Sequence, residues 1–131
     1  MNSRLRDIFD RQLEAVLEAA PEQVRAILDQ VPLVVEDYPS DQVLKSTGVE
    51  RRDELCGLYT GIPLTERSVN HSGILSDAVT LYRLGIISVA RSDDGTLDQA
   101  QLREQIRITL WHELGHHVGL SEVELDEFGY G

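Results

Sequence analysis

Cysteine is nearly absent. Cys56 is the only one in 131 residues, so the chain can close no disulfide on itself. A reducing cytoplasm is the simplest setting for such a composition. There is no run of about twenty apolar residues, which excludes a helical membrane span. The opening MNSRLRDIFD lacks the apolar stretch of a secretory signal. Basic residues are scarce: 12 Lys and Arg stand against 23 Asp and Glu, for a net charge of −11. That field repels phosphate backbones, so nucleic acid is not an expected partner. The acidity chiefly serves solubility; a preference for basic peptides is the weaker functional reading. No internal repeat or low-complexity tract is visible. The length fits one domain, residues 1–131, with a modest core and a monomer as the default state.

What the chain does contain is the stretch Trp111 to Glu127, WHELGHHVGLSEVELDE. His112, Glu113 and His116 stand in the spacing H-E-x-x-H. Helical positions four apart lie one turn above each other. Two imidazoles so placed can reach one tetrahedral Zn²⁺ at about 2.0–2.1 Å. Glu113 can then lean toward a water on the same metal without being a ligand. This is the arrangement of a metal-assisted hydrolase, in which the Glu takes the water's proton and the metal polarises the carbonyl. H-E-x-x-H alone also arises by chance on a solvated helix face. The added Gly119 and the acid three residues beyond it make the pattern more specific.

Gly119 suits the left-handed residue that ends a helix. Ser121 and Glu124 form a capping box, with Leu120 and Leu125 placed for a hydrophobic staple. The turn can carry an acid back over the metal. Glu122 and Asp126 are the two candidates, and a site with only two protein ligands is the third reading. Against Glu122, a first-turn acid also has the ordinary role of favouring the helix dipole. His117 is one residue off the ligand face and reads as a supporting or surface residue. His71, alone in a polar stretch, reads as solvated.

Earlier in the chain, Leu5, Ile8, Phe9, Leu13, Val16, Leu17 and Ala20 recur at three- and four-residue spacing. They predict an amphipathic helix over 3–20, capped by Ser3. Pro21 opens a shorter helix with Val24, Ile27 and Leu28 on its apolar face. Val31 to Val35 predicts a buried strand. A short helical turn is allowed over 41–48. Leu55 to Thr60 predicts a second strand, where Gly57 and Gly61 mark a bulge or a close backbone approach. Ile62-Pro63-Leu64 continues extended, and Thr65 to Ser76 reads as a loop. In Asp77 to Arg83, Ala78, Thr80 and Tyr82 alternate with Val79 and Leu81, a third strand. Leu84 to Ala90 is ambiguous between helix and strand. Asp94-Gly95 marks a turn, and Thr96 or Asp98 can cap the long helix that follows. Its ridge of Leu102, Ile106, Leu110 and Leu114 should face the sheet. His112 and His116 lie about 160–200° from that ridge, toward a cleft.

The chain resembles the small bacterial zincin-like family of minimal zinc metallopeptidases. The resemblance rests on VVEDYPS at Val34 to Ser40, GLYTGIPLTER at Gly57 to Arg67, VTLYR at Val79 to Arg83, and HELGHHVGLSEVELDEFGY at His112 to Tyr130. It implies a compact zincin-like α+β fold: a three- to four-stranded sheet packed with helices, one of them a long metal-site helix. It favours a helical or irregular crossing at Leu84 to Ala90. It also implies a zinc-dependent metallopeptidase site acting on a peptide or protein. The departures are specific. Metzincins have a third His where this chain has Glu122, and they need a Met-turn, whereas Met1 is the only methionine. Peptide deformylases need an E-G-C-L-S stretch that ELCGL around Cys56 does not match.

The expected site therefore has His112, His116 and Glu122 as zinc ligands and Glu113 as general base. Tyr82, Tyr130 and His117 are the candidates to stabilise the oxyanion. The strand at 55–60 could hold an extended peptide by strand addition. Two alternatives come from other classes. One is a metal-binding or protein-interaction module without turnover. The other is an interaction domain in which the His cluster is incidental.

Overall fold

The computed structural model describes residues 1–61 and 77–118. Helix α1, Ser3–Glu18, is followed by α2, Glu22–Leu28, and strand β1, Leu33–Glu36. Helix α3, Asp41–Thr47, precedes strands β2, Gly57–Thr60, and β3, Ala78–Tyr82. Helices α4, Arg83–Ala90, and α5, Gln99–His117, complete the described elements. The fold is α+β, as the sequence leads one to expect. The expectations for 62–76 and for everything after Val118 (the Ile62-Pro63-Leu64 extension, the loop with His71, Gly119, Glu122, Asp126 and Tyr130) lie outside the described residues.

The three strands form a mixed sheet in the order β1-β3-β2. β1 runs parallel to β3, with Val34 opposite Thr80, and β2 runs antiparallel to it, with Tyr59 opposite Val79. β3 is thus the central strand. Its Val79 and Leu81 are fully buried. β1 corrects the reading of Val31 to Val35 as a buried strand. It begins at Leu33, lies at the edge of the described sheet, and alternates half-buried and exposed residues, with Val34 39% exposed. A β-branched run shows strand preference but not how many faces are covered.

One core joins the first and last described helices. Phe9, Leu13 and Val16 of α1 pack with Val79 and Leu81, with Ile86, Ile87 and Ala90 of α4, and with the α5 ridge. Leu102, Ile106 and Leu110 are 0% exposed and Leu114 is 3%, so the four-residue ridge faces the core. Each such side chain contributes about 1.5–3 kcal/mol by leaving water. The residues 84–90 are helical, because their apolar side chains meet α5 and the sheet rather than a strand partner.

Two caps differ from expectation or resolve it. Asn2, not Ser3, caps α1: its Oδ1 accepts from Leu5 N at 2.8 Å, and Ser3 is the first helical residue. Both types cap well, and the one whose side chain reaches the orphan N–H takes the place. Asp98 caps α5 through Ala100 N at 2.8 Å, while Thr96 bonds Asp94 in the preceding turn. On the surface, Arg6 and Arg83 share Asp37, and Arg83 also holds Asp10. These bonds tie α1 to the end of β1 and the start of α4.

Candidate metal centre

The site begins with how closely β2 lies on α5. A Cβ placed on Gly57 would stand 2.9 Å from Thr109 Cγ2 and 3.1 Å from Glu113 Cγ. Only a residue without a side chain lets the strand come that near, which is the close approach expected of Gly57. Glu113 is thereby pressed between helix and strand and is 7% exposed. Its carboxylate lies within 4.8 Å of a ring nitrogen of each neighbouring histidine.

His112 and His116 lie one turn apart and are half-buried. Their rings meet edge to face, with centroids 4.9 Å apart at 83°. His112 Nε2 and His116 Nε2 are 3.3 Å apart. Two nitrogens bound at about 2.0–2.1 Å in a tetrahedron would stand about 3.3–3.4 Å from each other. A ligand atom from each of His112, Glu113 and His116 lies within 4.8 Å of the others. The two imidazole nitrogens suit zinc, with the Glu113 carboxylate beside them.

His117 takes a different path. A rotation of about 100° per residue turns it off the face of His116 and under the sheet. It is 3% exposed, so the alternative of a surface residue does not hold. Its Nδ1 is 2.7 Å from Asp77 Oδ2, though not aligned as a hydrogen bond. Tyr59 Oη donates to the same oxygen at 3.1 Å. The Tyr59 and His117 rings meet edge to face at 5.9 Å. Asp77 is itself 8% exposed.

Sequence reasoning missed Tyr59 and Asp77. Their pairing spans 18 residues and carries no spacing signal. One signal was present: alternation puts Asp77 on the same face as Val79 and Leu81, and an acid on an apolar face needs a partner. Of the expected oxyanion stabilisers, Tyr82 alternates onto the other face with Thr80. Burial raises its hydroxyl pKa, with the charge of Glu36 adding to the effect. His117 is buried beside Asp77, with its Nδ1 2.7 Å from Oδ2.

Two hollows open beside Glu113. One, of about 400 Å³, passes from His112 and Glu113 to Leu55, Cys56, Val89 and Ile108. The other, of about 310 Å³, is lined by Leu58, Tyr59, Gly61, Glu113 and His116. Burial pushes the Cys56 thiol pKa up, and the carboxylate of Glu113 adds to it. Cys56 is therefore a protonated wall rather than a nucleophile at neutral pH. A larger hollow of about 550 Å³ lies beside α3. Its Arg51 pairs with its Asp53 at 2.8 Å, and it includes none of the histidines, so it is a charged surface dip.

No helix among the described residues is long and apolar enough to cross a membrane. A search of curated proteins returned no match for the sequence. The family model described as zincin-like metallopeptidase matches residues 28–130. The match takes in β1, α3, the sheet and all of α5.

Proposed function

The chain belongs to the zincin-like metallopeptidase family, and from that premise we propose that it hydrolyses peptide bonds with zinc held by His112 and His116 and with Glu113 as general base. Family membership implies a metal, typically zinc, and a peptide or protein substrate. The observation that carries the assignment to these residues is the 3.3 Å convergence of the two Nε2 atoms beside a confined carboxylate.

Zinc supplies a Lewis acid, which makes a water acidic and polarises the carbonyl under attack. The rest is done by the chain. His112 and His116 would hold the ion through Nε2, at a separation set by one helical turn. The Glu113 carboxylate takes the proton of the attacking water and delivers it to the leaving amine. Its seat against Gly57 holds it in position between those two transfers. β2 lies at an edge of the described sheet and runs beside this face, so an extended peptide can pair with it in the manner of an added strand. Glu122 is proposed as the third ligand, with Asp126 as the alternative.

The test combines zinc titration with cleavage of a peptide library. The wild-type chain binds one zinc and cleaves. Glu113→Gln keeps the zinc and loses cleavage. Of Glu122→Ala and Asp126→Ala, the one that weakens zinc about 10-fold or more names the third ligand. Retained cleavage by Glu113→Gln removes the general-base role. Zinc binding that leaves wild type indistinguishable from His116→Ala removes the site.

A further inference from the structure

The hollow of about 400 Å³ beside His112 and Glu113 has a mixed lining that the reaction does not require. Leu55, Cys56, Val89 and Ile108 give it apolar walls. Thr109 turns its hydroxyl back to Gln105 O at 2.8 Å, so its methyl is what remains to meet the strand and hollow. The volume is near the small end for binding pockets and has room for one long side chain. Glu54 stands at the same hollow, with its side chain 52% exposed. Among the described residues it pairs loosely with Arg51 at 3.9 Å, and Arg51 is held more closely by Asp53 at 2.8 Å. No Lys or Arg lines this hollow among the described residues. The chain as a whole carries −11.

Apolar walls with the carboxylates of Glu54 and Glu113 at their ends match one kind of side chain. Lys and Arg lay their methylene stems along apolar surface while the charged head stays at the wet end. An acidic side chain would meet Glu54 and Glu113 at like charge, with no Lys or Arg among the described lining residues to offset them. An aliphatic one would fill the walls and leave Glu54 unused. Resting on the metallopeptidase reading, we propose that this hollow receives a substrate side chain close to the cut bond and selects a basic one. Leu55, Val89 and Ile108 hold its stem, and Glu54 is the specificity-determining residue.

Glu54 is half exposed, so its attraction for a cation is modest and screened by salt. The experiment uses the full chain loaded with zinc. Three short blocked peptides, identical except for Lys, Leu or Glu at one position, are bound to the Glu113→Gln variant and cut by the wild type. In low salt the Lys peptide should bind about 3- to 10-fold tighter than the Glu peptide, with Leu between them. Raising the salt to about 1 M should shrink that ratio. In Glu113→Gln/Glu54→Lys the order of Lys and Glu should reverse, and in wild-type cleavage the same preference should appear in kcat/KM.

Equal binding of the Lys and Glu peptides, or an order that survives Glu54→Lys, overturns the proposal even if the peptides are cleaved. A Lys preference that reverses with Glu54→Lys supports it even if the wild type cleaves none of the three. In that case the peptidase reading alone fails. Absence of binding by all three peptides overturns the pocket outright.

Discussion

His116 and His117 are covalent neighbours on α5, yet one lies 3.3 Å from His112 on the half-open side and the other 2.7 Å from Asp77 beneath the sheet. The difference comes from one step of helical rotation, about 100°. On the outer side, the rings meet each other and border hollows large enough for a ligand. On the inner side, the ring is covered, and its carboxylate neighbour also accepts from Tyr59. Residue type therefore says little about role here; the face of the helix decides it. The open pair borders the hollows, and the covered trio joins the end of α5 to β2 and the start of β3.

The most forceful way to break this contrast is to remove a nitrogen from the open side. His116→Ala should lower zinc affinity by more than about 100-fold, beyond what is typical for loss of a supporting group. Isothermal titration with zinc measures it, and a small loss would mean that His116 is no ligand. Thermal unfolding with and without zinc gives a second readout. Bound zinc at 100 times its Kd should add about 2.7 kcal/mol to the wild type and almost nothing to the variant.

Asp77→Ala attacks the covered side. It takes the acceptor from Tyr59 and leaves the buried His117 without its carboxylate neighbour. The expected cost is about 1–3 kcal/mol in urea unfolding, with most of the zinc affinity retained. If Asp77→Ala abolished zinc binding as fully as His116→Ala, the two clusters would be one site.

Gly57→Ala sharpens the contrast from a third direction. The new methyl meets Thr109 Cγ2 and Glu113 Cγ inside contact distance, which should cost about 1–3 kcal/mol through overpacking. Glu113 should shift while His117 does not, so turnover should fall more than zinc affinity. Equal losses of both would show that the strand seats the ligands as well as the base.

The smallest effect belongs far from either cluster. The hydrogen bond from Arg6 holds the Asp37 carboxyl below its usual range, and Arg83 adds to the shift. A depressed folded pKa gives stability that is present above the unfolded value, about 3.9, and is lost as pH falls through the folded value. Asp37→Asn should therefore lower stability at neutral pH by up to about 1 kcal/mol, because the Arg6 partner is open to solvent. It should also flatten the decline below about pH 4. A change in zinc affinity in this variant would show that the contrast between the α5 faces is not local.

The open side was legible in the sequence because it is written locally. H-E-x-x-H fixes two side chains by one turn of helix, and Leu102, Ile106, Leu110 and Leu114 fix which way that helix faces. The covered side was not legible, because Tyr59, Asp77 and His117 come from three segments joined only by the fold. Sheet order had the same difficulty. A valine run could name β1 as a strand, but its place at the edge depends on β3 arriving later in the chain to pair with it. Glu54 was equally hidden, since nothing in ELCGL announces that this stretch borders the histidine helix.

Helices α1 and α5 share one core, and Gln12 and Gln99 hydrogen-bond across a separation of 87 residues. Contacts that distant require a large loop to close before they return any energy. The chain should thus fold at the slower pace of non-local topologies rather than that of local helical bundles. The histidine helix can form early as an isolated coil of backbone. Its place in the core depends on the first helix, so residues far from the histidines should govern when His112 and His116 reach their final positions.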